Sequence, residues 1–264
     1  KKSIDILLHF AGYVKVEESV KNPNKYFINN TDNAILLFET CYKNGLKNII
    51  FSSTAAAYGN PINNNSIKED ESLKPLNPYG QSKVNTENFL IENKDRFNSI
   101  ILRYFNVAGA DPDLRSGLIS DEPTHLIKIL SEVAVGKREK IFIYGDDYKT
   151  EDGTAIRDYI HVSDLADIHL EIAKYLLDTK ISNIFNCGYG KGYSVLEVIN
   201  AANKITSNKI KFEFDKKRLG DAEKLISNVD KLHQSINWKP KFDDLDFIIQ
   251  TAIHWEKKIY EKNL

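Results

Sequence analysis

Apolar runs of strand length alternate with segments of helical period along the front of this chain, and that alternation constrains the fold more than any other feature. Ile4 to Phe10 reads as a strand. Asn30 to Asn44 reads as a helix, with Ala34, Ile35, Leu37, Phe38, Cys41 and Tyr42 near helical spacing and Gly45 as a stop signal. Asn48 to Ser52 is a second strand and Ser99 to Tyr104 a third. Between them a helix begins at Pro78, a residue suited to a first turn, with Asn77 as its cap. Strands joined through helices pair in parallel, so the predicted fold class is α/β with a doubly wound parallel sheet.

After Gly109 the character changes. Asp111 to Pro123 is rich in turn-formers and charges, as in an active-site loop or a domain boundary. Mixed short elements follow. Ile184 to Cys187 reads as a strand leading through Gly188, Gly190 and Gly192 into a helix from Ser194, and the three glycines read as a tight strand-to-helix turn. Lys209 to Arg218, basic and interleaved with Phe212 and Phe214, reads as a strand with one solvated face.

Composition removes several function classes. Among 264 residues the net charge is -1, which gives no basic surface for nucleic acid and no membrane-binding patch. No apolar run approaches the roughly 18 residues of a membrane helix. Two cysteines, Cys41 and Cys187, predict no disulfide framework and fit a reducing cytoplasm. The six histidines show no metal-ligand spacing, so no metal is expected, and His161 and His169 read as core or helix-start residues. There is no methionine, and Lys1-Lys2-Ser3 runs straight into apolar Ile4 to Leu8, from which a segment upstream of Lys1 is expected.

Tyr79 and Lys83 stand four apart at the start of the Pro78 helix, one turn apart on one face. A phenol with an ordinary pKa near 10 is a poor base at neutral pH, and a nearby ammonium favours its phenolate. The spacing therefore predicts a tyrosine able to act as general acid and base. Upstream, Ser52, Ser53 and Thr54 sit where a parallel strand ends, which is where doubly wound sheets place their active sites; a hydroxyl-rich turn is the competing reading.

Several stretches carry a resemblance. They are HFAG (His9 to Gly12), Glu18 to Pro23, Asn29-Asn30, FSST with YG (Phe51 to Gly59), NPYG with SK (Asn77 to Lys83), LRYFNVAGA (Leu102 to Ala110), VAVGKR (Val133 to Arg138), Ile143 to His169 with its DGT and RDYIHV, and Arg218 to Asp221. Spread through nearly the whole chain in this order, they resemble the extended short-chain dehydrogenase/reductases and, within them, the UDP-glucose 4-epimerases. The resemblance implies a Rossmann-like sheet that binds NAD and a smaller mixed α/β domain that binds a UDP-sugar. The NAD-binding domain would span 1–109 and the substrate domain 110–264, with about 154–186 returning to the NAD side. The glycine-rich phosphate loop of that family is not in this sequence, so the sheet is expected to be N-terminally truncated by roughly 70 residues, from the usual βαβ lengths.

The resemblance also implies residue roles. Thr54, Tyr79 and Lys83 match the catalytic trio. Phe10, Ala11, Gly12, Asn29, Ser52, Tyr104 and Phe105 match cofactor positions, together with Tyr79 and Lys83. Asn106, His125, Leu126, Phe142, Tyr144, Arg157, Arg218, Asp221 and Leu225 match UDP-sugar positions, together with Thr54 and Tyr79 and with Phe105 beside them. Arg157 and Arg218 offer bidentate forks for a diphosphate, and Asp221 an acceptor for ribose hydroxyls. Val14 departs from a lysine frequent in the family, so no NAD contact is carried over there. His125 replaces a frequent asparagine and still offers a donor. Leu225 replaces a bulky tyrosine and leaves room for an N-acetyl group. The implied function is NAD-dependent interconversion of UDP-glucose and UDP-galactose in galactose metabolism, with the N-acetylated pair as a second substrate and a homodimer as the assembly. Two rival readings are weighed against it: an NAD-binding scaffold or inactive fragment, and a nucleotide-sugar 4,6-dehydratase. The dehydratase needs an acid–base pair after the active-site hydroxyl, where this chain has Ala55-Ala56.

Overall fold

The computed structural model describes residues 4–61, 66–206 and 209–261, so the opening Lys1-Lys2-Ser3 lies outside the described residues. The chain begins with β1 (Leu7–His9), then α1 (Val16–Lys21), α2 (Pro23–Tyr26), a wide π-helical turn at Phe27–Asp32, and α3 (Asn33–Lys43). β2 (Asn48–Thr54), α4 (Pro78–Glu92) and β3 (Asn98–Tyr104) follow. Next come β4 (Asn106–Ala108), α5 (Leu126–Ala134), β5 (Ile141–Tyr144), β6 (Ile156–Arg157), β7 (Tyr159–His161) and α6 (Val162–Thr179). The remainder comprises β8 (Asn183–Cys187), β9 (Tyr193–Ser194), α7 (Val195–Ile205), β10 (Phe212–Asp215), β11 (Lys224–Leu225), α8 (Asp230–Ser235) and α9 (Leu245–Glu261).

The main sheet has the order β1-β2-β3-β8, and every pair in it is parallel. Alternation along the strands divides it into two buried faces. Leu8, Ile50, Ile100 and Leu102 pack with Ile168 and Ile172 of α6, whereas Leu7, Ile49, Phe51 and Ile101 pack with Phe38 of α3 and Leu90 of α4. Helices therefore cover both faces, as the doubly wound reading requires. β8 joins this sheet after a long excursion, which brings the chain from 183 to 187 back beside β3.

The excursion builds smaller units. β4 pairs with β7, β5 with β10, and β6 lies between β11 and β9. A second core of Ile127, Leu130, Ile141, Ile143, Val198, Ile199, Ile248 and Ile249 holds α5, α7 and α9 around β5. Ser194 caps α7 in a reciprocal pairing with Glu197, so the helix starts where its hydroxyl predicted.

Four boundaries differ from the sequence reading, one of them the strand expected over Lys209 to Arg218, which spans only Phe212–Asp215. The first strand pairs only over Leu7–His9. The helix expected from Asn30 starts at Asn33, because Asn30 lies in the wide turn and spends its amide on Tyr13: Tyr13 N–H donates to Oδ1 at 2.8 Å and Nδ2 donates to the Tyr13 carbonyl at 2.9 Å. The strand ending at Ser52 runs on to Thr54, since β3 supplies pairing partners through Tyr104.

Candidate active site

Parallel strands end on one edge, so Phe10, Ser52, Thr54 and Tyr104 arrive together without any contact between them in sequence. Thr54 closes β2 and caps the short turn Ala55–Ala57 by accepting the Ala56 N–H at 3.1 Å. Asn77 caps α4 by accepting the Gly80 N–H at 2.8 Å. A side chain on Gly80 would come within 2.7 Å of the Ala56 carbonyl, so the glycine lets the first turn of α4 close onto the turn after Thr54. This packing sets Tyr79 beside Thr54. Burial pushes the Tyr79 phenol up, and the Thr54 hydroxyl acts in the opposite direction by hydrogen-bonding it.

Lys83 is 3 % exposed. Its ammonium donates to the Ser52 carbonyl at 2.9 Å and lies 4.9 Å from the centre of the Phe51 ring. A side chain on Gly12 would come 3.2 Å from Nζ, so glycine allows the segment after β1 to pass over the ammonium. Burial lowers the Lys83 pKa to about 8, and the Glu87 carboxylate one turn later raises it against that trend. Lysine and tyrosine share the helix face as their spacing predicts, and the ammonium is bonded to the end of β2. A buried cation needs an acceptor, and β2 offers the Ser52 carbonyl.

Ser52 lies on the α6 side of the sheet. Its hydroxyl is 2.7 Å from the Tyr104 hydroxyl, which is 2.6 Å from His169 Nε2, and Phe10 lies against the same imidazole at 5.0 Å between centroids. Ser53, one residue on, faces α4 and donates to the buried Glu87. Asn29 donates to Asn30 Oδ1 at 3.1 Å, and Asn30 in turn holds Tyr13. Asn30, Glu87 and His169 were not among the predicted site residues. The sequence signals were the Asn29-Asn30 pair for Asn30 and, for His169, the matching stretch from Ile143 that ends on it; Glu87 had none.

The predicted UDP-sugar positions fall into groups. Asn106, His125 and Leu126 line a cavity of about 780 Å³ together with Arg115 and Trp255; Thr54, Tyr79 and Lys83 are not on its wall. The Asn106 N–H donates to the Asp158 carbonyl at 2.9 Å, and Phe105 is buried beside it. His125 precedes α5 and makes no side-chain cap. Tyr144 and Arg218 meet, with the guanidinium 3.6 Å from the ring centre and its Nε buried without a partner. Phe142, two residues before Tyr144 in β5, is exposed. Arg157 spends three hydrogen bonds on the carbonyls of Ile156, Ala222 and Glu223, at 2.9, 2.6 and 3.2 Å. Asn77, having capped α4, also donates to the Gly220 carbonyl at 3.2 Å, which ties the loop of Arg218 and Asp221 to the helix of Tyr79. Leu225 is buried with Ala55, Phe105 and Ala222. Of the histidines, His161 caps α6 by accepting the Ser163 N–H, and His169 is buried within that helix.

Among the described residues no group of three or more His, Cys, Asp or Glu side chains is placed to hold a metal, and no helix is long and apolar enough to cross a membrane.

Residues 1–188 match the NAD dependent epimerase/dehydratase family. A UDP-glucose 4-epimerase of Streptococcus mutans is 46% identical over 255 residues, covering 96% of this chain and 76% of the relative. The structure of a UDP-Glc/GlcNAc 4-epimerase from Campylobacter jejuni is 47% identical with a TM-score of 0.79, over 96% of this chain and 78% of the other. A UDP-glucose 4-epimerase from Bifidobacterium longum, in complex with NAD+ and UDP, is 35% identical with a TM-score of 0.93, over 97% of this chain and 77% of the other. A parallel sheet wrapped on both faces, a tyrosine and a buried lysine at its carboxyl edge, and these likenesses over nearly all its length agree: the chain belongs to the NAD dependent epimerase/dehydratase family, among its UDP-glucose 4-epimerase relatives.

Proposed function

We propose that this chain interconverts UDP-glucose and UDP-galactose by NAD-dependent oxidation and re-reduction at C4 of the hexose. The observation that carries this reading is Tyr79 in the first turn of α4, hydrogen-bonded to Thr54 and one turn from buried Lys83, at the carboxyl edge of the parallel sheet.

The residues fit the cofactor. Gly12 leaves open the space over the Lys83 ammonium that a side chain would fill, and Phe10 and Ala11 stay exposed at the same strand end. Phe10, Ala11, Gly12, Asn29, Ser52, Tyr104 and Phe105 would hold the group, with Lys83 donating to it. When bound, NAD supplies the hydride acceptor and donor for C4 and a positive charge beside the phenol. Tyr79 takes the proton of the C4 hydroxyl and returns it, so the site inverts one carbon with no net redox change. Thr54 donates to the Tyr79 oxygen and stabilises its charged form. Nucleotide and sugar have opposite needs: the hexose must turn over while the diphosphate stays fixed. Arg218 and Asp221 suit the fixed end, with Arg157 tying the backbone at 222–223 beside them, and the free Nε of Arg218 is a donor still to be used.

Lys83 is the buried cation of this edge, one turn from Tyr79, and its depressed pKa sets a limit. The ammonium is present below about pH 8 and lost above it, so kcat/KM is expected to fall as pH rises through about 8. A lysine of ordinary pKa would show no such limb below about 10. A profile flat to pH 9.5 overturns the assignment.

We assign the cofactor side to 1–109 with the return of about 154–186, and the UDP-sugar side to the remainder of 110–264. Leu225 supports a second substrate pair, UDP-N-acetylglucosamine and UDP-N-acetylgalactosamine. In Leu225→Tyr, turnover of the acetylated pair should drop at least tenfold relative to the plain pair, about the cost of crowding one apolar site. An unchanged ratio removes the size argument. A second copy of this chain is the proposed protein partner, and exposed Leu36 and Leu37 on α3 with Ile91 on α4 support that reading. Cytoplasm is the proposed location, from the cysteine usage.

The direct test is incubation of the protein with UDP-glucose and NAD, with chromatographic separation of the hexose products. UDP-galactose forming without net NADH is the expected result. Loss of water from the sugar would favour the dehydratase reading, against which Ala55-Ala56 after Thr54 stands.

A further inference from the structure

His169 touches two of the positions assigned to the cofactor and reaches a third through one of them, although it belongs to a helix on the far side of the excursion. Its ring packs against Phe10 at 5.0 Å, its Nε2 lies 2.6 Å from the Tyr104 hydroxyl, and Tyr104 lies 2.7 Å from Ser52 Oγ. The remaining nitrogen, Nδ1, is 2.7 Å from the Leu165 carbonyl one turn back in α6.

These contacts fix the direction of every proton in the chain. A carbonyl oxygen only accepts, so Nδ1 carries the hydrogen and donates to Leu165. In the neutral ring Nε2 is then an acceptor, and Tyr104 must donate to it. Tyr104's oxygen in turn accepts the Ser52 hydroxyl. Burial keeps the imidazole on the neutral side, consistent with this order. Ser52 is left with Oγ lone pairs and no proton to give outward, while its carbonyl accepts the Lys83 ammonium.

We propose that His169 is a positioning residue for the cofactor: through Tyr104 it orients Ser52 as an acceptor for a hydroxyl or amide N–H of bound NAD, and it props Phe10 at the same time. The inference rests on the reading of this edge as the NAD site. It assigns His169 a role beyond the core packing that the sequence suggested.

The test is calorimetric NAD titration of the full chain in wild type, His169→Phe, His169→Gln, Tyr104→Phe and His169→Phe/Tyr104→Phe, with UDP titration as the control for folding. Phenylalanine keeps a ring but removes the acceptor, and NAD affinity should fall about five- to tenfold, the worth of one hydrogen bond. Glutamine keeps an acceptor oxygen and should stay within about twofold. The double variant should lose no more than His169→Phe alone, because both changes break one chain. In parallel, 15N spectra of histidine-labelled protein without NAD should show a neutral Nδ1–H ring at His169 whose Nε2 signal moves in Tyr104→Phe. Equal losses in the phenylalanine and glutamine variants, additive losses in the double variant, or an Nε2–H ring would each overturn the proposal. Wild-type protein that binds UDP but no NAD would instead overturn the functional reading, and the spectra would still decide the direction of the chain.

Discussion

Tyr79→Phe is expected to lower kcat for C4 inversion by about 10³-fold while leaving UDP affinity within about twofold, because positioned proton transfer contributes about 10²–10⁴ in rate. The substitution removes one oxygen and little else. The ring keeps its edge contact with Tyr26, 6.4 Å between centroids at 78°. The helix cap at Asn77 and the close approach of Gly80 to the Ala56 carbonyl do not involve the phenol. Burial already disfavours charge on Tyr79, so the fold draws nothing from a phenolate there and gives up only the hydrogen bond to Thr54. A coupled assay for UDP-galactose, run beside UDP titration, separates the two effects. Full activity in the variant would remove Tyr79 from the mechanism and with it the reading of this edge as an epimerase site.

Glu87→Ala is expected to cost the fold about 3–5 kcal/mol, because it strands a buried guanidinium. Arg103 is 2 % exposed and reaches the Glu87 carboxylate through Nε at 3.2 Å and Nη2 at 2.6 Å. Its Nη1 donates to the Tyr58 hydroxyl at 2.9 Å and to the Glu69 carbonyl at 3.0 Å, and Tyr58 donates to Asn186 at 2.7 Å. The network therefore spans α4, β3, β8 and the segment after β2. Denaturant unfolding should show a lower midpoint with an unchanged slope. The apolar double replacement Glu87→Leu with Arg103→Met should recover most of the loss, since no charge is then buried alone. Two effects on the site follow from the same geometry. Ser53, which donates to Glu87, sits between Ser52 and Thr54 and would lose its anchor. Lys83 would lose the carboxylate that raises its pKa, so the alkaline limb in Glu87→Gln should move below about 8. An unchanged limb would mean that Glu87 acts on the fold alone.

Much of this arrangement was legible before any coordinates. Helix caps, the lysine one turn after the tyrosine and the strand–helix alternation are properties of a few neighbouring residues, so the caps at Asn77 and Ser194 and the helix start at Pro78 read correctly in isolation, with Tyr79 and Lys83 one turn apart on that helix. Alternating strands joined by helices left only a parallel sheet covered on both faces, and a parallel sheet leaves its active edge at the carboxyl ends of the strands. The start of α3 did not read correctly, because Asn30 is held by Tyr13, seventeen positions earlier.

What the sequence determined by itself was therefore the sheet, the edge and the one-turn spacing of Tyr79 and Lys83. Ser52 and Ser53 mark where it stopped. They are the same residue type side by side, yet one meets Tyr104 under α6 and the other meets Glu87 under α4. Successive side chains in a strand point to opposite faces, and only the completed packing decides what waits on each. The same holds for Lys83. Helical spacing put it on the face of Tyr79, but its ammonium is bonded to the Ser52 carbonyl, which is within reach only because β2 ends beside α4. His169 is the clearest case: it lies 117 positions after Ser52 and read as a core or helix-start residue. Its place in the site exists only because α6 folds back across the sheet, where a buried ring must satisfy both of its nitrogens.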